Sequence, residues 1–373
     1  TRFAAGGGKI CHTGMVEQGS VSIPAPMNRR IRLRSVILSL SLVAVLVGAV
    51  IASAVMGQLA ITPGDVIGSL LKWMGFNTSL APADPVIEAT LEVVRFPRIV
   101  MALAVGAALA VAGALMQAVF GNPLAEPGVV GVSAGAALGA STAIVFGISA
   151  TGGGVALLAF LGGLGATLLV YAVARAGGRT EVVTLLLTGI AINAFAQAGL
   201  AFVLFVADTA SREQIVFWQL GSLAGSVWSE VVIVLPVLIL GTVLAVLMAH
   251  RLDLLALGER NARHLGVDVE QLRIIAIVLV ALLTGVAVAF AGIIAFVGLV
   301  VPHIIRMALG PSHRGLLIAS AVGGGALLAI ADLLTRTIVQ GADLPIGMLT
   351  ALVGGPFFFA LLYQQRRRSG GWA

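Results

Sequence analysis

Apolar runs long enough to cross a bilayer recur through almost the whole of this chain. They parse into about ten spans of about 20 residues each, centred near Val45, Leu109, Gly139, Gly165, Asn193, Leu240, Leu282, Leu299, Gly324 and Gly354. A helix of that length satisfies its own backbone polar groups where no water is present to do so. Composition leaves little alternative: 59% of the 373 residues are hydrophobic and 10% are charged. Mean hydropathy is +1.08, and no soluble globular domain buries that much apolar surface. The runs are unbroken rather than alternating, which excludes a β-barrel. The 47 glycines, set among many alanines, point to helices whose backbones approach closely. The sequence therefore predicts an all-α polytopic membrane protein.

Charge sets the topology. Arg29, Arg30, Arg32 and Arg34 precede the first span, and Arg366, Arg367 and Arg368 follow the last. An even number of spans puts both clusters on one side, the cytoplasm, so both termini are expected there. Of 22 Lys and Arg, alternation leaves Lys72, Arg95, Arg98, Arg212 and Arg336 outside. The basic pI near 10.6 is thus a topology signal, and no nucleic-acid partner is expected. Residues 1–28 read as a flexible extension or tag, with Met27 a natural start, and 369–373 as a short tail; 29–368 form the membrane domain. The single cysteine, Cys11, excludes an internal disulfide. Gly6-Gly7-Gly8-Lys9-Ile10 lacks the first glycine and the Ser or Thr of a phosphate-binding loop, so the chain carries no ATPase of its own.

The longest charged segment between the outermost apolar runs is Arg251–Arg273, a polar platform on the cytoplasmic side. Within it, Ala256–Gly266 reads as a short helix broken by glycines, in which Ala262 and Leu265 share a face and Glu259 and Arg263 sit i, i+4. The sharper reading is a docking helix for a soluble partner, and the plainer one a solvated loop.

Two further patterns bear on mechanism. Gly106–Gly113 aligns with Gly285–Gly292, five spans apart, which implies opposite orientations and an inverted repeat. In the fifth span Gly189, Asn193 and Gln197 follow at i, i+4, i+8, a polar face on an otherwise apolar helix. It reads as lining a translocation pathway or as bonding a neighbouring helix. Ionisable residues are nearly absent from span centres: Glu126 alone lies between Arg98 and Arg175. Carriers driven by protons or sodium keep such groups at mid-membrane, so energy is expected from outside the chain. A secondary transporter or channel working alone is the alternative. His303 reads as a structural histidine, no cluster has metal-ligand spacing, and no catalytic arrangement is present.

A series of ordered motifs adds to this. They are Arg95-x-Pro97-Arg98, Gln117, Asn122-Pro123-Leu124-Ala125-x-Pro127, Gly131-x-Ser133-x-Gly135-Ala136 and Trp218-x-x-Gly221-Ser222. Further on come the platform Leu257-Gly258…Ala262…Leu265-Gly266, then Phe296-Val297-Gly298-Leu299-x-x-Pro302-His303-x-x-Arg306, Asp332-x-x-x-Arg336 and Asp343-x-Pro345-x-Gly347. Together they resemble the permease subunits of ABC importers for iron–siderophore, haem and cobalamin, over about residues 35–365. Asp343 departs from the pattern, where glutamate is more usual. The resemblance implies the type II importer permease fold in a bacterial inner membrane, as a homodimer with the pathway on its axis. It implies two ATP-binding subunits, which hold the ATP and Mg, and a substrate-binding protein on the far side. It assigns ATPase coupling to Leu257, Gly258, Glu259, Ala262, Arg263, Leu265 and Gly266, and binding-protein docking to Arg95, Arg98 and Arg336. Chelated iron, as haem or a ferric siderophore, is the expected cargo, with cobalamin next.

Overall fold

The computed structural model describes residues 29–76, 78–148, 153–176, 179–339 and 341–368. The extension 1–28 and the tail 369–373, with Cys11 and the Gly6–Ile10 stretch, lie outside the described residues. The helices are α1 (Arg29–Val55), α2 (Pro63–Trp73), α3 (Pro85–Ala89), α4 (Phe96–Phe120), α5 (Val132–Val145), α6 (Gly154–Ala174) and α7 (Val182–Val206). They continue with α8 (Thr209–Leu220), α9 (Trp228–Leu255), α10 (Glu259–His264), α11 (Val269–Ala291), α12 (Val297–Leu309), α13 (His313–Thr335) and α14 (Ile346–Arg368). A two-residue antiparallel bridge pairs Arg175–Ala176 with Arg179–Thr180.

Among the described residues, eight stretches are long and apolar enough to cross a membrane: α1, the continuous rod Pro85–Phe120, α6, α7, α9, α11, α13 and α14. All ten expected centres fall in helices, but two of those helices are short. α5 has 14 residues and α12 has 13, and Leu299 lies in the first turn of α12 rather than its middle. In the rod, a π-helical stretch Thr90–Arg95 joins α3 to α4. Pro97 has no N–H for the carbonyl four residues back, and the register widens just before it.

α4 is the hub: 89% of its apolar window is buried, against 11% for α1. It packs against α13, α11, α9 and α12. Two of these contacts are backbone to backbone. A Cβ at Gly106 would stand 2.2 Å from the Gly324 carbonyl oxygen, and one at Gly113 would stand 1.8 Å from that of Gly298. Only glycine lets helices meet this closely, and with no hydrophobic drive inside a bilayer such contact is what binds them.

The directions of α4, α9, α11 and α13 follow from side chains at their ends. At one end, the arginine end, Arg98 at the start of α4 pairs with Asp332 near the end of α13. There too Trp228, opening α9, donates its indole N–H to the Glu92 carbonyl at 2.8 Å. At the other end, the platform end, Asp253 in the last turn of α9 accepts from the His313 N–H that opens α13, at 2.8 Å. Arg273, near the start of α11, reaches Glu259 of α10 at this same end. So α4 begins at the arginine end and α11 at the platform end, antiparallel as an inverted repeat requires.

The second half repeats the first in other ways. α5 and α12 are each entered through a left-handed residue, Gly131 at φ 87° and Phe296 at φ 68°. α4 packs on α12 and α13, as α11 packs on α5 and α6.

Candidate functional site

The platform is narrower than its charges suggest. α9 runs on through Arg251 to Leu255, and Arg273 already lies in the second turn of α11, so residues 256–268 join the two helices. At their centre is α10, bracketed by Gly258 at φ 100° and Gly266 at φ 83°. These left-handed glycines stop helix at both ends without steric cost. Glu259 and Arg263 form the expected i, i+4 pair at 3.6 Å, both about half exposed.

One expectation here is corrected. Ala262 is fully buried, packed towards α9 and α11, whereas Leu265 is 58% exposed and Leu257 60%. Helix ends at His264, so Leu265 no longer follows helical spacing and turns outward. The outward apolar pair is Leu257 and Leu265.

A cleft of about 720 Å³ separates α10 from the start of α7, bordered by Thr180, Glu181, Arg260, Arg263 and His264. Its floor is a bonded junction that the sequence reading missed. Arg273 pairs with Glu259 and donates to the Thr180 carbonyl at 3.0 Å. Glu270 accepts from the Thr180 N–H at 3.0 Å, from the Thr180 hydroxyl, and from the Tyr171 hydroxyl at 3.3 Å. α10 is thereby tied to the turn that leads into α7. Nothing in the spacing of Thr180, Glu270 and Arg273 marks them as partners; a charge just inside an apolar run is the one available hint.

At the arginine end the structure gathers Arg95, Arg98 and Arg336, but they are not free cations. Arg98 donates its Nε to Asp332 at 2.8 Å and its Nη1 to Asp343 at 2.7 Å. Arg336 lies 3.5 Å from Asp332 and donates to the Ser53 carbonyl and hydroxyl at 2.8 and 3.0 Å. Arg95 donates to the carbonyls of Val55 at 2.9 Å, Ala54 and Leu59. All three side chains are buried, and they border a cavity of about 300 Å³ with Gly57, Gln58, Thr90 and Asp343.

The α7 residues divide. A Cβ at Gly189 would stand 2.1 Å from the Val129 carbonyl oxygen, so Gly189 is packed against the turn before α5. Asn193 is half-buried and donates to the Gly128 carbonyl at 3.3 Å, and Gln197 is exposed. Four residues advance a helix by about 40° beyond one turn, so the two steps from Gly189 to Gln197 roll from the packed side to the open one. Of the expected pathway face, Gly189 and Asn193 serve packing, and Gln197 alone is open in this chain.

The motif residues between α4 and α12 form a third cluster. Arg306 donates to the Gln117 side-chain oxygen at 3.1 Å, and Gln117 donates to the Leu299 carbonyl at 3.3 Å. Asn122 caps the Leu124 N–H at 2.9 Å, as its place before Pro123 predicts. Glu126 accepts the Phe296 N–H at 3.1 Å, and its burial pushes its carboxyl above the usual range. Among the described residues no group of three or more His, Cys, Asp or Glu could hold a metal ion.

The FecCD transport family matches residues 42–364. The hemin transport system permease protein HmuU of Yersinia pestis is 41% identical over 286 residues, 74% of this chain and 84% of that protein. The cobalamin import system permease protein BtuC of Halobacterium salinarum is 40% identical, covering 82% of this chain and 83% of that protein. A solved structure described as an inward-facing, metal-chelate type ABC transporter aligns with a TM-score of 0.76 at 32% identity, over 88% of this chain and 99% of its own. Matched across both halves of its repeat, the chain belongs to the FecCD transport family, as a membrane-spanning permease subunit of an ABC importer.

Proposed function

We propose that this permease moves a chelated-iron cargo, haem or a ferric siderophore, as a homodimer driven by two ATP-binding subunits. Cobalamin is the second cargo. ATP and Mg are bound and turned over on the ATPase subunits, and this chain supplies the path. The hemin and cobalamin systems among its relatives and the metal-chelate type of the matching structure support this range of cargo. Of the α7 polar residues only Gln197 is open, an uncharged side chain that a bulky chelate could slide past rather than be held by.

The observation that carries the coupling role is α10. It is a helix bracketed by glycines that presents Leu257 and Leu265 outward and is bonded through Arg273 to the turn before α7. Closure of an ATPase dimer against α10 would reach α7 by that route. The platform end is the cytoplasmic one on the charge rule, because Lys72, Arg95, Arg98, Arg212 and Arg336 all lie towards the arginine end. That places the arginine cavity outside, where it receives acidic residues of a substrate-binding protein. A stand-alone carrier would need neither feature.

The test is uptake into proteoliposomes holding the permease, its ATPase and its binding protein, offered haem, ferric siderophores and cobalamin in turn. Uptake of an iron chelate that requires ATP is the expected result. Transport of cobalamin alone would overturn the cargo assignment, and uptake without ATP would overturn the mechanism.

A further inference from the structure

The arginine cluster is one carboxylate short. Three guanidinium groups face two carboxylates, Asp332 and Asp343, and Arg95 is surrounded by backbone carbonyls instead. The two acids are not alike. Asp332 is 1% exposed, sits on α13 and is shared by Arg98 and Arg336. Asp343 is 29% exposed, borders the 300 Å³ cavity and belongs to the non-helical stretch leading into α14.

We propose that Asp343 is an internal stand-in for a carboxylate of the substrate-binding protein, displaced from Arg98 on docking, so that docking releases the non-helical stretch leading into α14. This rests on the docking reading given above. The geometry argues for exchange rather than addition. Arg98 Nε is taken by the buried Asp332, so an acid that approaches Arg98 from the cavity meets Nη1, which Asp343 occupies. Swapping one carboxylate for another leaves Arg98 paired, which avoids the penalty of a buried lone charge. Asp343 stands three residues before α14. Once it lets go, two backbone bonds still hold this stretch: Leu344 N–H to Thr335 and Ile346 N–H to Gly221, each 3.0 Å. The first turn of α14 stays packed, with Gly347 against the Leu220 and Ile293 carbonyls, so the stretch around Asp343 and Leu344 is the element that docking would loosen.

The test uses the full permease–ATPase complex in nanodiscs, with Cys11→Ser and a reporter Leu344→Cys, titrated with its own substrate-binding protein. Saturating binding protein should raise the thiol-labelling rate at position 344 several-fold. Asp343→Asn should raise it without the binding protein and tighten docking by about tenfold, because the internal competitor is gone. Arg98→Gln should weaken docking. If Arg98→Gln leaves docking unchanged, the docking reading fails and the exchange with it. If Arg98 matters but Asp343→Asn leaves affinity and labelling as they were, docking stands and the exchange is overturned. Should Asp343→Asn fail to assemble, the otherwise native reporter decides: labelling indifferent to the binding protein overturns the proposal.

Discussion

Glu126 shows how much one side chain does in the turn between α4 and α5. It accepts the N–H of Phe296, a residue held at positive φ with no side-chain cap of its own. Burial raises its carboxyl pKa, with the Phe296 N–H pulling the other way more weakly. A folded-state pKa above the unfolded one means a contribution present below the ordinary carboxylate pKa and lost as pH rises through the raised value. Glu126→Gln keeps the acceptor and removes the titration. We expect its apparent Tm in detergent to match or exceed the parent at pH 7.5, and to change less between pH 5 and 7.5. Glu126→Ala strands the Phe296 N–H, a loss of about 1–3 kcal/mol, and its Tm should fall at both pH values. A Gln variant as unstable as the Ala variant would show that the charge, not the acceptor, is needed.

Among the elements, α10 gives the clearest division of labour. Leu257→Asp with Leu265→Asp changes only outward side chains, so the variant should fold with unaltered Tm yet fail to co-purify with its ATPase. Ala262→Trp forces bulk into a fully buried position and should lower the Tm by several degrees, since overpacking costs about 1–3 kcal/mol. A stable Trp variant would mean that the α9–α10–α11 junction is looser than the packing implies. The existence of α10 was legible because charge interrupts apolar sequence there and glycines punctuate it. Its inner face was not, since six residues make fewer than two turns and show no period. The arginine end was hidden for another reason. Arg98 and Asp332 are 234 residues apart, and only the antiparallel packing of α4 on α13 brings them together. The α7 face was half legible: its polar spacing is real, but the turn that buries Gly189 comes from another element.

For the whole molecule, long apolar runs predicted the order of the membrane helices, and a weak repeat predicted the inversion. What the chain leaves open is where a second copy sits. On α7 the exposed stripe Leu187, Ala191, Ala194, Ala198 and Ala201 is mostly alanine, small enough for close approach by another helix. In the proposed homodimer this stripe lies at or beside the axis. With Cys11→Ser, cysteine at Ala194 or Ala198 should cross-link two copies under mild oxidation, and cysteine at Leu247, exposed on α9, should not. Cross-linking through α9 alone would move the axis to α9.

The brevity of α5 and α12 has a consequence for how the protein is made. At 1.5 Å per residue they extend about 20 Å, short of a 30 Å hydrocarbon layer. Neither is an adequate signal for lateral release from a translocation channel by itself. Each is followed closely by a full-length partner, α6 after residues 146–153 and α13 after Gly310-Pro311-Ser312. Each short helix should therefore wait in the channel until its successor emerges and leave with it as a hairpin. Two of the five spans of each repeat thus reach the lipid as a pair, and a ribosome stalled just after α5 or α12 would hold that helix outside the bilayer.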